Sequence, residues 1–250
     1  MQIVKPPKSL LHLSGKAIAD YSMIQPNDRI LLGLSGGKDS LSLLHILLHL
    51  QRHAPISFEV GVVTVDPQSD AFDPSPLIPY LKSLDVPYFY QSEPILELAD
   101  KHMDNKSFCA FCSRMKRGII YSTARKNDYN VIALAQHLDD LAESFMMSAF
   151  HGGKLNTMKA NYIIDAGDLR VIRPLIYVRE RQTRAFAESA NLPIISENCP
   201  ACFDMPTQRF YFKQLLNNEE KSNPNVYKSL LSAMRPLMNK TNQSESATNS

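Results

Sequence analysis

Apolar residues recur along this chain with two alternating periods. Leu10, Leu13, Ala17, Ile18, Tyr21 and Ile24 are spaced for one face of a helix over residues 8 to 25. Pro26-Asn27-Asp28 interrupts that pattern. The run Arg29 to Leu34 then predicts a first strand, and Phe58 to Val65 a second. Within the latter, Val60-Gly61-Val62-Val63-Thr64-Val65 is continuous enough for a parallel strand buried on both faces. Further strands are predicted at Tyr88 to Gln91, Val131 to Ala135, Val171 to Pro174 and Pro193 to Ser196. Helical spacing fills the gaps: Leu41 to Leu50, Leu77 to Leu84, Ser113 to Asn127, Leu138 to Phe150 and Gln182 to Asn191.

Strands separated by helices at this spacing argue for an α/β fold with a parallel sheet and right-handed crossovers. Ligands on such sheets bind beyond the carboxyl ends of the strands. Two polar segments fall there, Ser35-Gly36-Gly37 after the first strand and Gln136-His137 after the fourth. The organisation expected is a helical extension over 1–26, a main domain over 27–216 and a C-terminal helical segment over 217–250. The polar, aperiodic tail from Asn239 is expected to be disordered.

Composition adds limits. The 250 residues are 44% apolar and 21% charged, with a net charge of +2, too small to argue for nucleic acid by itself. No apolar stretch approaches the ~20 residues of a membrane span, and no secretory leader is visible, so no membrane is expected. A reducing cytoplasm is the expected setting. Paired cysteines there read as metal ligands or redox groups rather than structural disulfides.

The hexapeptide Ser35-Gly36-Gly37-Lys38-Asp39-Ser40 joins the first strand to a helix. Such a turn aims backbone N–H groups and a helix N-terminus at one point, forming an anion site. Gly36 and Gly37 allow close approach of a polyanion, Ser35 and Ser40 offer hydroxyls, and Lys38 offers charge. Asp39 is placed to cap the helix or to hold Mg²⁺. The spacing is not that of a Walker A loop. His137, Asp139 and Asp140 follow the fourth strand, where carboxylates coordinate Mg²⁺ or simply cap a helix. Asp66 ends the second strand beside Pro67, which also suits a turn.

Cys109 and Cys112 form one C-x-x-C and Cys199 and Cys202 another. Zinc ribbons hold their pairs ~15–20 residues apart, so this gap requires a site built by the tertiary fold. A zinc site, a redox dithiol and an iron–sulfur cluster all remain open, with zinc first on spacing alone. Arg114, Lys116, Arg117, Lys154, Lys159, Arg170, Arg173, Arg179, Arg181 and Arg184 supply cations for RNA phosphates if they surround the site; singly, each suits a solvated surface.

The loop Ser35 to Ser40 resembles the pyrophosphate loop of the PP-loop ATPases, which cleave ATP between its α- and β-phosphates. The segments Gly15 to Asp20, Cys109 to Arg114 with Arg117-Gly118-Ile119, His137 to Asp140, Gly152-Gly153-Lys154, Ile172 to Leu175 and the pair at Cys199 resemble the tRNA 2-thiocytidine synthetase branch, from about Gly15 to Leu216. The resemblance implies a Rossmann-like adenine-nucleotide fold with cysteine-bearing insertions. It places Ser35 to Ser40, Asp66, His137 and Asp140 around ATP and Mg²⁺. It also reverses the order of metals, implying a [4Fe–4S] cluster on Cys109, Cys112 and Cys202. The segment Cys199-Pro200-Ala201-Cys202 departs from the family pattern, leaving Cys199 as a fourth ligand, spare thiol or persulfide site. The implied reaction adenylates the C2 oxygen of cytidine 32 in tRNA and replaces it with sulfur, with Asp39, Cys109, Cys112 and Cys202 as catalytic residues. Arg114, Arg117, Lys154 and Arg173 are the RNA contacts expected. Implied partners are tRNA and a sulfur donor, either a cysteine desulfurase or free sulfide, with a homodimer left open. A PP-loop thiolase or ligase for another substrate, and a Cys₄-zinc ATP-binding protein, are the alternatives.

Overall fold

A computed structural model describes residues 4–69, 72–95, 97–98, 108–195 and 207–239. Its elements are α1 (Lys8–Asp20), β1 (Arg29–Gly33), α2 (Lys38–His53), β2 (Glu59–Asp66), α3 (Leu77–Ser83), β3 (Tyr88–Ser92), α4 (Phe108–Lys126), β4 (Val131–Ala133), α5 (Leu138–His151), β5 (Asn161–Ile163), β6 (Arg170–Ile172), α6 (Glu180–Ser189), α7 (Gln208–Ser222) and α8 (Val226–Met238). The strands form one sheet in the order β3-β2-β1-β4-β6-β5. All neighbours are parallel except β5 with β6.

The continuous apolar runs are explained by the sheet's two covered faces. Successive side chains point to opposite faces. Ile30 and Leu32, Val60 and Val62, Val131 and Ala133 enter one core; Leu31, Val63 and Val65, and Ile132 enter the other. The larger core takes Leu41, Leu43, Leu44, Ile46 and Leu47 of α2. The smaller takes Ile120 and Ala124 of α4. Connections β1–α2–β2 and β3–α4–β4 depart to opposite sides of β1, so the strand order reverses between β1 and β4. That reversal opens a crevice at their carboxyl ends.

Several expected boundaries move. Helix α1 stops at Asp20 because Ser22 takes a left-handed φ of 48° and the Met23 N–H turns back to the Ile18 carbonyl at 2.9 Å. Leu10 and Ala17 of α1 belong to the large core, which ties 1–26 to the sheet. Helix α7 runs through the 216/217 boundary without interruption, and Met234 and Met238 of α8 join the same core. Strand β5 was not foreseen; its three residues are set by pairing with β6, which a short mixed sequence does not announce. The strand expected from Pro193 is absent over 193–195, which is irregular, although the Ile195 N–H donates to the Gly36 carbonyl at 3.0 Å. Helix α4 begins at Phe108, upstream of the expected Ser113, and takes Cys109 and Cys112 into its first turns. No Gly or Pro between 108 and 117 opposes that extension.

Gly61 lies where β2 passes Tyr129: a Cβ there would stand 2.1 Å from the Tyr129 hydroxyl and 2.6 Å from Cζ. Gly61→Ala is therefore expected to cost about 1–3 kcal/mol in urea unfolding. A double-mutant cycle with Tyr129→Ala should recover a substantial part of that loss; additive losses would contradict the contact.

Candidate active site

The loop after β1 is held by its own polar groups. Gly36 adopts φ of 86°, open to glycine and strained for other residues. A Cβ on Gly36 would also lie 2.1 Å from Ile195 Cγ1. The Gly37 N–H donates to Ser35 Oγ at 3.2 Å, and Ser40 Oγ lies 3.0 Å from the Gly37 carbonyl. Helix α2 begins at Lys38 with no side-chain cap, so its first N–H groups face the crevice unscreened.

Asp39 and His137 close the crevice from its two sides, with His137 Nε2 3.7 Å from Asp39 Oδ2. His137 caps α5 through Nδ1, which accepts the Asp140 N–H at 3.3 Å, and Asp140 Oδ2 accepts the His137 N–H at 3.1 Å. An acceptor Nδ1 leaves the proton of the neutral ring on Nε2, toward Asp39. The remaining Asp39 oxygen accepts from Thr183 Oγ1 at 2.5 Å.

Lys38 bridges Asp39 at 3.0 Å and Glu180 at 3.1 Å. Burial works to lower the Lys38 pKa, but the two carboxylates outweigh it and raise it. Burial likewise works to raise Glu180, yet bonds from Lys213 and Lys38 bring it down to about 2. Lys213 sits 2.6 Å from Glu180, and Arg184 3.0 Å. The sequence pattern did not single out Glu180, Thr183 or Lys213 as site residues. They arrive from α6 and α7, and proximity to the loop is a tertiary fact.

Other expected residues have structural partners. Asp139 is buried and accepts from Arg179 and from the Glu180 N–H at 2.8 Å, tying α5 to α6. Arg179 also forks onto Glu220 at 2.6 and 3.0 Å. Asp140 pairs with Arg209 at 3.3 Å beside its capping role. Asp66 accepts the Gln68 N–H at 2.7 Å and the Tyr90 hydroxyl at 2.5 Å, so its carboxylate shapes the turn. Among the described residues, no group of three or more His, Cys, Asp or Glu is arranged to hold a metal ion.

Arg173 requires a correction. It was expected on the surface for RNA, but it is 6% exposed and donates to Gln136 Oε1 at 2.9 Å and to the Lys159 carbonyl at 2.6 Å. Its guanidinium lies 5.5 Å from the centre of the Tyr162 ring. Burial lowers its pKa, and burial with the neighbouring Tyr162 pushes Tyr121 up to about 12. Following the apolar Val171 and Ile172, Arg173 is drawn into the fold at the end of β6. Arg114, Arg117 and Lys154 are exposed as expected.

Cys112 packs against the smaller core beside Met115, Ile119 and Tyr162. Cys109 lies three residues earlier on the same helix. The Cys109 side chain, Cys199 and Cys202 lie outside the described residues. Two cysteines in C-x-x-C spacing match the donor chemistry of a cluster or a zinc site.

Glu143, on α5 below Asp140, is buried; desolvation first, then Asp140, raises its pKa to about 7. Between pH 4.5 and 7 the folded protein holds a proton that the unfolded chain has released. Stability therefore falls as pH rises through that window. Glu143→Gln should be near neutral at pH 4 and stabilising at pH 8, by no more than about 3 kcal/mol. Thermal melts across pH test this; a gain independent of pH would refute it.

Comparison with known proteins follows this geometry. The PP-loop domain family matches residues 11–200. The tRNA-cytidine(32) 2-sulfurtransferase of Geobacter sulfurreducens is 37% identical over 228 residues, covering 91% of this chain and 89% of the relative. The protein of the same name from Aliivibrio salmonicida is 40% identical over 236 residues, covering 94% and 76%. The U34-tRNA thiolase NcsA of Methanococcus maripaludis, solved with its [4Fe–4S] cluster, superposes with a TM-score of 0.73 at 20% identity, covering 92% of this chain and 79% of that one. An NH₃-dependent NAD synthetase from Campylobacter jejuni has a TM-score of 0.50 at 16% identity, covering 95% and 93%, which marks a shared fold. With the glycine turn, the uncapped helix start and the His137–Asp39 approach at one strand crevice, these matches place the chain in the PP-loop family, in the branch of the tRNA-cytidine(32) 2-sulfurtransferases.

Proposed function

We propose that this protein thiolates C2 of a tRNA cytidine, position 32 in the relatives' names, by ATP-dependent adenylation. The observation that carries the reading is the anion site at the β1/β4 reversal, where the open N-terminus of α2 faces the crevice. ATP is the substrate for that site. The backbone of Gly36 and Gly37 cradles the polyphosphate, and Lys38 meets the charge that develops as pyrophosphate leaves. Lys38 is held in place by Glu180, which Lys213 anchors from behind. The C2 oxygen attacks the α-phosphate and pyrophosphate departs. Hydrosulfide then adds to C2 and AMP leaves with the oxygen, so the electron count is unchanged and one proton is released. Asp39, held at the helix start by Lys38 and Thr183, is the carboxylate that would take Mg²⁺ there. His137 orients it from Nε2.

Cys109, Cys112 and Cys202 are the residues that would hold a [4Fe–4S] cluster, with Cys199 as alternative. When bound, the cluster supplies an iron position that accepts hydrosulfide. The sulfur source is a desulfurase-type donor or free sulfide. Among the described residues no helix is long and apolar enough to cross a membrane, and a cytoplasmic setting fits tRNA as substrate.

Gly36→Ala should abolish ATP binding, because the added Cβ meets both Ile195 and a left-handed backbone; calorimetric ATP affinity within threefold of the parent would contradict the cradle. Cys109→Ser should keep ATP affinity but yield no thiolated nucleoside by mass spectrometry. Full thiolation by that variant, or a parent protein purified anaerobically with stoichiometric zinc and no iron or sulfide, would overturn the cluster assignment.

A further inference from the structure

Helix α4 contains no acidic residue and five cations, Arg114, Lys116, Arg117, Arg125 and Lys126. Arg125 is neutralised by Asp168 at 2.6 Å. Among the described residues, Arg114 and Lys126 have no carboxylate partner within ion-pair distance. Both line a groove of about 320 Å³ between α4 and the carboxyl end of β3. Met115 and Ile119 of α4 and Gln91 and Glu93 at the end of β3 line it as well. Arg114 and Lys126 stand twelve positions apart on the helix, ~18 Å along its axis.

Gly118 is the second observation. It sits in the middle of α4, where glycine costs ~1 kcal/mol against alanine. A Cβ built on Gly118 meets nothing within 4 Å. Among the described residues, no neighbour packs against that position. Gly118 lines the groove, as does the small, exposed Ser122 one turn later. Glycine there leaves the helix backbone accessible along the groove.

We propose that this groove binds a few nucleotides of single-stranded RNA next to the base being modified, a subsite that rests on the tRNA-thiolation reading. Two cations ~18 Å apart do not converge on a compact anion such as a free phosphate. They match a ligand whose charges repeat along its length with apolar bodies between them, which describes a nucleic-acid strand. Met115 and Ile119 take the base or ribose faces. Gln91 and Glu93 offer acceptors to ribose 2′-hydroxyls and exocyclic amines. Gly118 lets the sugar–phosphate chain lie against the helix backbone. Cys112, Met115 and Ile119 follow at i, i+3 and i+7, so the apolar side of the groove continues on the helix face that carries Cys112. A strand bound there is directed toward Cys112.

The test measures the full protein for tRNA affinity over a salt series, ATP affinity, melting temperature and thiolation with free sulfide. Gly118→Leu should weaken tRNA binding at least tenfold, while ATP affinity holds and the melting temperature stays level or rises. The Arg114→Gln, Lys126→Gln pair should lower the slope of log affinity against log salt by about 1.4, two single-strand phosphate contacts. Unchanged tRNA affinity and salt slope in both variants would overturn the groove. So would a defect confined to sulfur delivered by a donor protein and absent with free sulfide, because the groove would then be a protein-docking surface. A parent protein that binds ATP but no tRNA would bring down the thiolation reading itself, an outcome visible before any variant is made.

Discussion

A parallel sheet buried on both faces leaves its ligands one place to bind. Its backbone N–H and C=O groups are consumed by the ladder, and its side chains are consumed by two cores. What remains accessible is the carboxyl edge, where each strand must turn into a helix. In this protein the alternation of Ile30, Leu31 and Leu32 between the two cores fixes β1 in the centre of the sheet. The turn after it must therefore be made by Ser35 to Gly37, next to the turn after β4. The crevice between them follows from strand order.

Within that crevice the charges form a chain of shared ions. Lys38 is shared between Asp39 and Glu180, and Glu180 is shared with Lys213 and Arg184. Such a chain keeps each ion paired in a half-buried place, where an isolated charge is costly. It also pre-positions a cation beside the uncapped helix start. The neighbouring chain of Asp139, Arg179 and Glu220 is of another kind: it pins α5, α6 and α7 together. Two adjacent ionic networks thus divide the work, one facing the crevice and one locking its walls.

The glycine loop is braced by Ile195. The Ile195 N–H binds the Gly36 carbonyl, and the Ile195 side chain fills the space that a Gly36 Cβ would take. Ile195 lies four residues before Cys199. The segment expected as a short strand is thus used instead as a strut against the loop, which explains why it lacks ladder pairing over 193–195.

The sequence alone determined the α/β alternation, the central strands, the glycine turn and the cysteine pairs. These are local: a buried parallel strand must be apolar throughout, and a turn at φ of 86° must carry glycine. It also carried enough of Ser35 to Ser40 and His137 to Asp140 to mark both sides of the crevice. Tertiary structure decided which charged residues belong to the site. Arg173 reads as a surface cation and is buried beneath Tyr162, while Glu180 and Lys213 read as ordinary surface charges and hold Lys38. A charged side chain looks the same in sequence whether it faces water, a carboxylate or a ligand. Its environment is supplied by elements far away in the chain, and only their packing fixes it.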